Sequence, residues 1–227
     1  PRLPSGPPTA LSGQETFLAV VFSLGSGYLF SYVTLALIHL LEGFAGQSST
    51  NTVSAVESSL PPVVAILAFA VVAPVAEEFI FRRLLLDRVR IFGDGAAILI
   101  GGAAFGLFHG NLNQTLYAFV LGAVFSAIVL LTNRLRYTIG IHMLINGISV
   151  LTTLMESDLL DYLLACVILF SICFSVVLFF VRRKHYTLEP GPLPFSRAEK
   201  AHACFTSPWV WVLLVGGLLF SGVSIFL

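Results

Sequence analysis

Residues 74–88 read PVAEEFIFRRLLLDR. Two adjacent carboxylates and an arginine stand inside an apolar block that runs from Leu60 to Phe81 and extends to Phe92. Ionisable side chains in so apolar a setting are costly and rare, which makes them functional candidates from the start. Glu78 and Arg82 are four residues apart and share a helical face, where they can form an internal ion pair. Pro74 removes one backbone hydrogen bond just ahead of the glutamates and is expected to kink the helix and open a polar pocket.

Working outward, the rest of the chain repeats the apolar pattern. The blocks are 17–41, 60–81 with its extension to 92, 96–109, 116–131, 138–154, 159–181 and 209–227. A bilayer crossing needs about 20 apolar residues as a helix. Hydrophobic residues make up 57% of the chain and charged ones 11%, too few charges to coat a water-soluble domain of this size. The fold class that follows is all-α, a polytopic membrane bundle of about seven transmembrane helices. The third block is short and needs tilt, a buried end or a locally thin membrane.

Charge placement supports that count. Arg2, Arg82, Arg83, Arg88, Arg90, Arg134, Arg136, Arg182, Arg183, Lys184, Arg197 and Lys200 are all the basic residues, and alternating blocks put every one on the same side. That side is expected to be cytoplasmic. The chain then divides into a Pro- and Gly-rich linker at 1–16, a helix with a polar outer loop at 17–60, a core at 61–154, and C-terminal helices at 155–227 with a cytoplasmic loop at 182–207. It begins at Pro1 without a methionine, as expected of a fragment. The formal net charge of zero gives no case for nucleic acid as a partner. Cys166, Cys173 and Cys204 lack metal-ligand spacing, and the first two read as small buried hydrophobes.

Two further strings join the glutamates. FGLFHG ends at Gly110 and contains Phe105 and His109 four apart; HMLIN places His142 and Asn146 four apart. If the second helix turns near Gly93, Glu77 lies sixteen residues before the turn and His109 sixteen after it. An antiparallel hairpin then brings carboxylate and imidazole to one depth, about 20 Å from the turn at 1.5 Å per residue. By the same counting His142 sits nearer the basic side, unless tilt closes the gap. Gly102, Gly106 and Gly110 form GxxxGxxxG, a stripe that lets helix backbones approach closely.

A buried carboxylate beside imidazole can deprotonate a water. His142 and Asn146 could then donate to a developing oxyanion. In a second route, Glu77, His109 and His142 would ligate a divalent metal such as zinc that activates the water. Both routes end in hydrolysis of an acyl bond. HExxH, GxGD and a membrane serine nucleophile are all missing.

The three strings in this order resemble the motifs of the CAAX-protease and bacteriocin-processing family, also called the Abi or Rce1-like intramembrane endopeptidases. The matched core runs from about Pro61 to Leu154. The resemblance implies Glu77 as general base, with Glu78 and Arg82 in support. It implies that His109 holds the water or a metal with Glu77, and that His142 and Asn146 complete the site, Asn146 at the oxyanion. It further implies peptide or membrane-protein substrates, a bacterial plasma membrane, and relatives with additional N-terminal spans.

Plainer readings compete at each position. The glutamates could be a helix end solvated by headgroups, His109 an interfacial histidine, and His142 with Asn146 interhelical hydrogen-bond glue. His39, His185 and His202 lack partners at helical spacing and are left out of the site. Trp209 and Trp211 read as an interfacial belt. At the level of function, the rivals are a non-catalytic membrane immunity or binding protein and a proton-coupled transporter. The latter is disfavoured by the absence of an internal repeat.

Overall fold

The computed structural model describes residues 9–46, 56, 58–155, 157–184, 187–192 and 195–223. Most of the expected outer loop at 47–59, and His185, lie outside these. The described elements are helical, with no strand among them. We number them α1 (Gly13–Ala45), α2 (Pro62–Phe92), α3 (Asp94–Phe108), α4 (Leu112–Thr132), α5 (Leu135–Leu154), α6 (Asp158–Arg182), α7 (Arg197–Thr206) and α8 (Pro208–Val223). Helix α1 starts at a capping box: the Ser12 side chain accepts from the Glu15 N–H, and the Glu15 carboxylate accepts from the Ser12 N–H.

Each apolar block meets a helix, but five helices, α1, α2, α4, α5 and α6, are long and apolar enough to cross a membrane. Helix α3 has 15 residues. It rises about 22 Å, short of a hydrocarbon core of about 30 Å. The described part of α8 has 16 residues. The stretch expected to be a loop at 182–207 contains α7, which the proline-rich run ahead of it concealed. The chain is an integral membrane protein. The outward face of α2 exposes Val63, Leu67, Val72, Val75 and Phe79, while Glu78, Phe81, Arg82 and Leu86 are buried on its inner face. Cys166 and Cys173 also face outward, against the expectation of burial.

Helix α2 is not uniformly α-helical. Two π-helical segments, Ile66–Val72 and Phe79–Leu85, flank the α-helical turn Ala73–Glu78 that carries the glutamates. Their wider i→i+5 bonding is seen where Ala73 N–H donates to Ala68 O and Leu86 N–H donates to Phe81 O. Such segments are rare and concentrate at functional sites. Pro74 therefore sits at the seam between a π and an α register.

A 3₁₀ turn at Arg90–Phe92 and Gly93, at φ 97°, reverse the chain into α3. That backbone angle favours glycine. The turn is strapped by the segment after α6: Asp94 N–H donates to Glu189 O at 3.0 Å, Glu189 N–H donates to Asp94 Oδ2 at 3.1 Å, and Lys200 Nζ donates to Phe92 O at 2.6 Å. The expected hairpin register is present. Phe81 and Phe105, each twelve residues from Gly93, meet edge to face with centroids 5.1 Å apart.

Helix α3 packs along α4, α1 packs on α4 and α6, and α5 packs on the first π segment. The α3–α4 contact depends on Gly102 and Gly106. A Cβ on Gly102 would lie 2.8 Å from Phe119 O, and one on Gly106 would lie 2.6 Å from Thr115 O. Gly110 is not part of this stripe, since it lies past the helix end with φ 57°. A Gly102→Val substitution pushes against backbone rather than a movable side chain. It is expected to cost about 1–3 kcal/mol or more, as overpacking does, and to lower the thermal midpoint in detergent. An unchanged midpoint would mean the two helices separate without cost.

Candidate functional site

The inner face of α2, the C-terminal end of α3 and the middle of α5 converge. Arg82 and Glu78 are completely buried, and Arg82 Nε donates to Glu78 Oε2 at 3.2 Å. The guanidinium continues to Ser126 Oγ of α4 at 3.4 Å and lies 5.2 and 5.9 Å from the ring centroids of Phe105 and Phe125. Two aromatic faces thus help to offset the loss of water around a buried cation. Gly101 makes room for Ser126: a Cβ there would lie 2.4 Å from the serine hydroxyl oxygen.

His142 stands between the two carboxylates. Its Nδ1 is 3.3 Å from Glu78 Oε1, and its Nε2 is 3.7 Å from Glu77 Oε2. The ring packs between Phe105 and Phe125, with centroids 5.6 and 5.5 Å away. The gap in depth that residue counting leaves is closed by packing, because α5 lies against the π segment of α2. Glu77 differs from Glu78 in two ways. Its side chain keeps 17% of its accessible surface against 0% for Glu78, and it lacks the ion pair that Arg82 makes with Glu78. Each carboxylate has one buried oxygen without a hydrogen bond, Oε2 of Glu77 and Oε1 of Glu78, so it is the arginine and the exposure that set the two apart.

His109 ends α3. Its Nδ1 lies 2.8 Å from Phe105 O, and its ring meets that of Phe105 with centroids 4.9 Å apart. If Nδ1 donates to that carbonyl, Nε2 is left as an acceptor, a common way to fix a tautomer. Phe105 touches both His109 and His142, so it spaces the two imidazoles. Asn146, one turn past His142, donates from Nδ2 to Phe69 O in the first π segment at 3.0 Å.

The structure gathers Glu77, Glu78, Arg82 and His142 directly, joins His109 to them through Phe105, and joins Asn146 to α2 through its backbone. Sequence reasoning missed Ser126, Phe125 and Thr138. Thr138 is fully buried on α5, one turn before His142. Polar residues at four-residue spacing, Thr138–His142–Asn146, were the signal available for it.

Among the described residues, no three His, Cys, Asp or Glu side chains are grouped as metal ligands. Glu77 Oε2 and His142 Nε2 face one another at 3.7 Å, and His109 Nδ1 is engaged with Phe105 O, which leaves Nε2 as that ring's remaining ligating atom. An apolar cavity of about 420 Å³ between α1, α3 and α4 includes none of the six candidate residues.

Known proteins resemble the chain over the segment that carries this site. Residues 59–148, which hold all six candidates, match the family model described as Type II CAAX prenyl endopeptidase Rce1-like. The chain is 27% identical over 145 residues to the membrane-embedded CAAX protease MroQ of Staphylococcus aureus (strain USA300), covering 60% of this chain and 59% of that protein. It is 25% identical over 142 residues to YdiL of Bacillus subtilis (strain 168), described as a candidate membrane peptidase, covering 61% of this chain and 54% of that one. The aligned regions thus span little more than half of either relative's length. No solved structure matches the chain.

Proposed function

We propose, from the premise that residues 59–148 belong to the Rce1-like family of CAAX-type endopeptidases, that this protein is an intramembrane endopeptidase in which Glu77 activates a water. The observation that carries the reading is the asymmetry of the two glutamates. Glu78 is completely buried and paired with Arg82 at 3.2 Å, whereas Glu77 keeps 17% of its accessible surface, has no bond to that arginine and places Oε2 3.7 Å from His142 Nε2. A carboxylate that is reachable and not neutralised by an arginine is the better base for a water.

In the reaction, Glu77 accepts a proton from water as the water oxygen bonds to the peptide carbonyl carbon. His109 Nε2, left as an acceptor, orients that water beside Glu77, and the carbonyl oxygen becomes an oxyanion that the His142 imidazole stabilises by donating a hydrogen bond. Glu77 then returns its proton to the amide nitrogen as the C–N bond breaks, giving one new carboxyl end and one new amine. Glu78 and Arg82 hold His142 and the helix in place. The substrate is a peptide or a segment of a membrane protein that enters from the bilayer of a bacterial plasma membrane, with the basic loops on the cytoplasmic side.

The test is the chain in lipid nanodiscs incubated with a peptide library, with new amino termini read by mass spectrometry. Cleavage is expected. Its absence across lipid compositions, with biological activity preserved in Glu77→Gln, would make this an immunity or binding protein. Proton flux into liposomes without cleavage would make it a carrier.

A second prediction separates the two routes to a nucleophile. Exhaustive dialysis against a chelator is expected to leave turnover within about twofold, since the free base needs no Lewis acid to remove a proton. A loss that added zinc restores would assign the water to a metal instead.

A further inference from the structure

We infer that Asn146 is a positioning residue: its side-chain amide supplies the hydrogen-bond donor that Pro74 lacks, and so fixes the turn of α2 that carries Glu77. The inference rests on the peptidase reading for its consequence, but not for the bond itself.

In the first π segment of α2 each N–H reaches the carbonyl five residues back, and the last such bond runs from Ala73 to Ala68. The next in the series would run from residue 74 to the carbonyl of Phe69. Residue 74 is proline, which has no N–H. Inside a membrane there is little water to satisfy the stranded carbonyl, so another donor has to reach it. Asn146 Nδ2 does so at 3.0 Å. A donor from α5 thus completes the ladder of α2 at the seam between its π and α registers.

The consequence lies three residues further on. Pro74 is fully buried and begins the short turn Ala73–Glu78. Glu77 is on that turn, and its carboxylate faces His142, which stands one turn before Asn146 on α5. Helix α5 therefore grips α2 twice, by the His142 imidazole at the carboxylates and by the Asn146 amide at the backbone below them. Loss of the lower grip lets the turn rotate between registers, which moves Glu77 against His142. This differs from a direct role at the oxyanion, in which Asn146 would act on the substrate whatever residue stood at 74.

That difference gives the experiment. Asn146→Leu, Pro74→Ala and the double variant are compared with the unaltered chain in nanodiscs, both for peptide cleavage and for thermal midpoint. An alanine at 74 restores the backbone N–H. Asn146→Leu alone is expected to lower kcat about 100-fold with KM within about twofold, as for an interaction that matters to the chemical step rather than to substrate binding. In the Pro74→Ala background the same change is expected to cost less than about threefold, with a matching recovery of the midpoint. Equal losses in the two backgrounds would overturn the inference and return Asn146 to the oxyanion. If no variant and no parent cleaves any peptide, the peptidase reading fails, while the midpoints still decide whether Asn146 and Pro74 are coupled.

Asn146→Gln gives a measurement that does not need Pro74→Ala to fold. It keeps an amide donor able to reach Phe69 O, whereas leucine has none. Asn146→Gln is therefore expected to hold a higher thermal midpoint than Asn146→Leu and to regain at least about tenfold of the lost kcat. Equal midpoints for the two variants would show that Phe69 O is not held by this side chain.

Discussion

Arg82→Met is expected to remove most of the folded protein. The guanidinium is completely buried, and it is bonded to an equally buried Glu78 and to Ser126. Methionine matches it roughly in length but leaves the carboxylate without its cation. Removing one partner of a buried pair costs about 3–5 kcal/mol, because the remaining charge has lost its solvation twice over. Against a total stability of about 5–15 kcal/mol, that is a large share. The yield of monodisperse protein after detergent extraction and the thermal midpoint of what survives both measure it. The contrast is the double variant Glu78→Gln with Arg82→Met, in which no charge is stranded. It should recover most of the midpoint, since neutral groups replace both ions. A double variant no better than Arg82→Met would show that the arginine matters through packing on Phe105 and Phe125 instead. Arg83 is the internal control. Its side chain retains 30% exposure and is 3.9 Å from Asp87, so its loss should change the midpoint far less.

The same pair shows what could be read in the sequence and why. Four-residue spacing placed Glu78 and Arg82 on one face, and that rule survives even though Arg82 lies in a π segment. Counting from Gly93 placed the α2–α3 hairpin, and the Phe81–Phe105 contact has that register. Both inferences use distance along a helix, which spacing supplies directly. Rotation and tilt depend on neighbouring helices. His142 therefore looked too close to the basic side, whereas its ring lies within 3.7 Å of both carboxylates. Ser126 carried no signal beyond being a polar residue in an apolar helix, because its meaning comes from an arginine 44 positions away. The π segments were invisible for a different reason. Their residues, Ile66–Val72 and Phe79–Leu85, are mostly apolar ones that suit an α-helix equally well. Pro74 was read as a kink, but it marks the seam of a register change, and only the carbonyl it strands reveals that.

Glu77→Gln is expected to cost nearly all of the catalytic rate and almost none of the fold. Glutamine keeps the size and the position of the side chain but cannot accept a proton from water. General-base catalysis contributes about 10²–10⁴-fold, so kcat should fall by about that factor with KM little changed. Stability should hold, because Glu77 Oε2 has no hydrogen bond to lose and the side chain is partly open. Glu78→Gln, one residue along, should do the reverse in its first effect. It strands the buried Arg82 cation, so its midpoint falls before its chemistry can be read. Adjacent residues of one chemical type thus separate rate from fold, which no account based on composition or on membrane topology predicts. The measurement is single-turnover cleavage and thermal midpoint for both variants in the same nanodiscs. Turnover by Glu77→Gln near the parent's rate would place the base elsewhere. A midpoint for Glu78→Gln equal to the parent's would mean that Arg82 finds its counter-charge in Glu77, and the division of labour between the two carboxylates would have to be drawn the other way round.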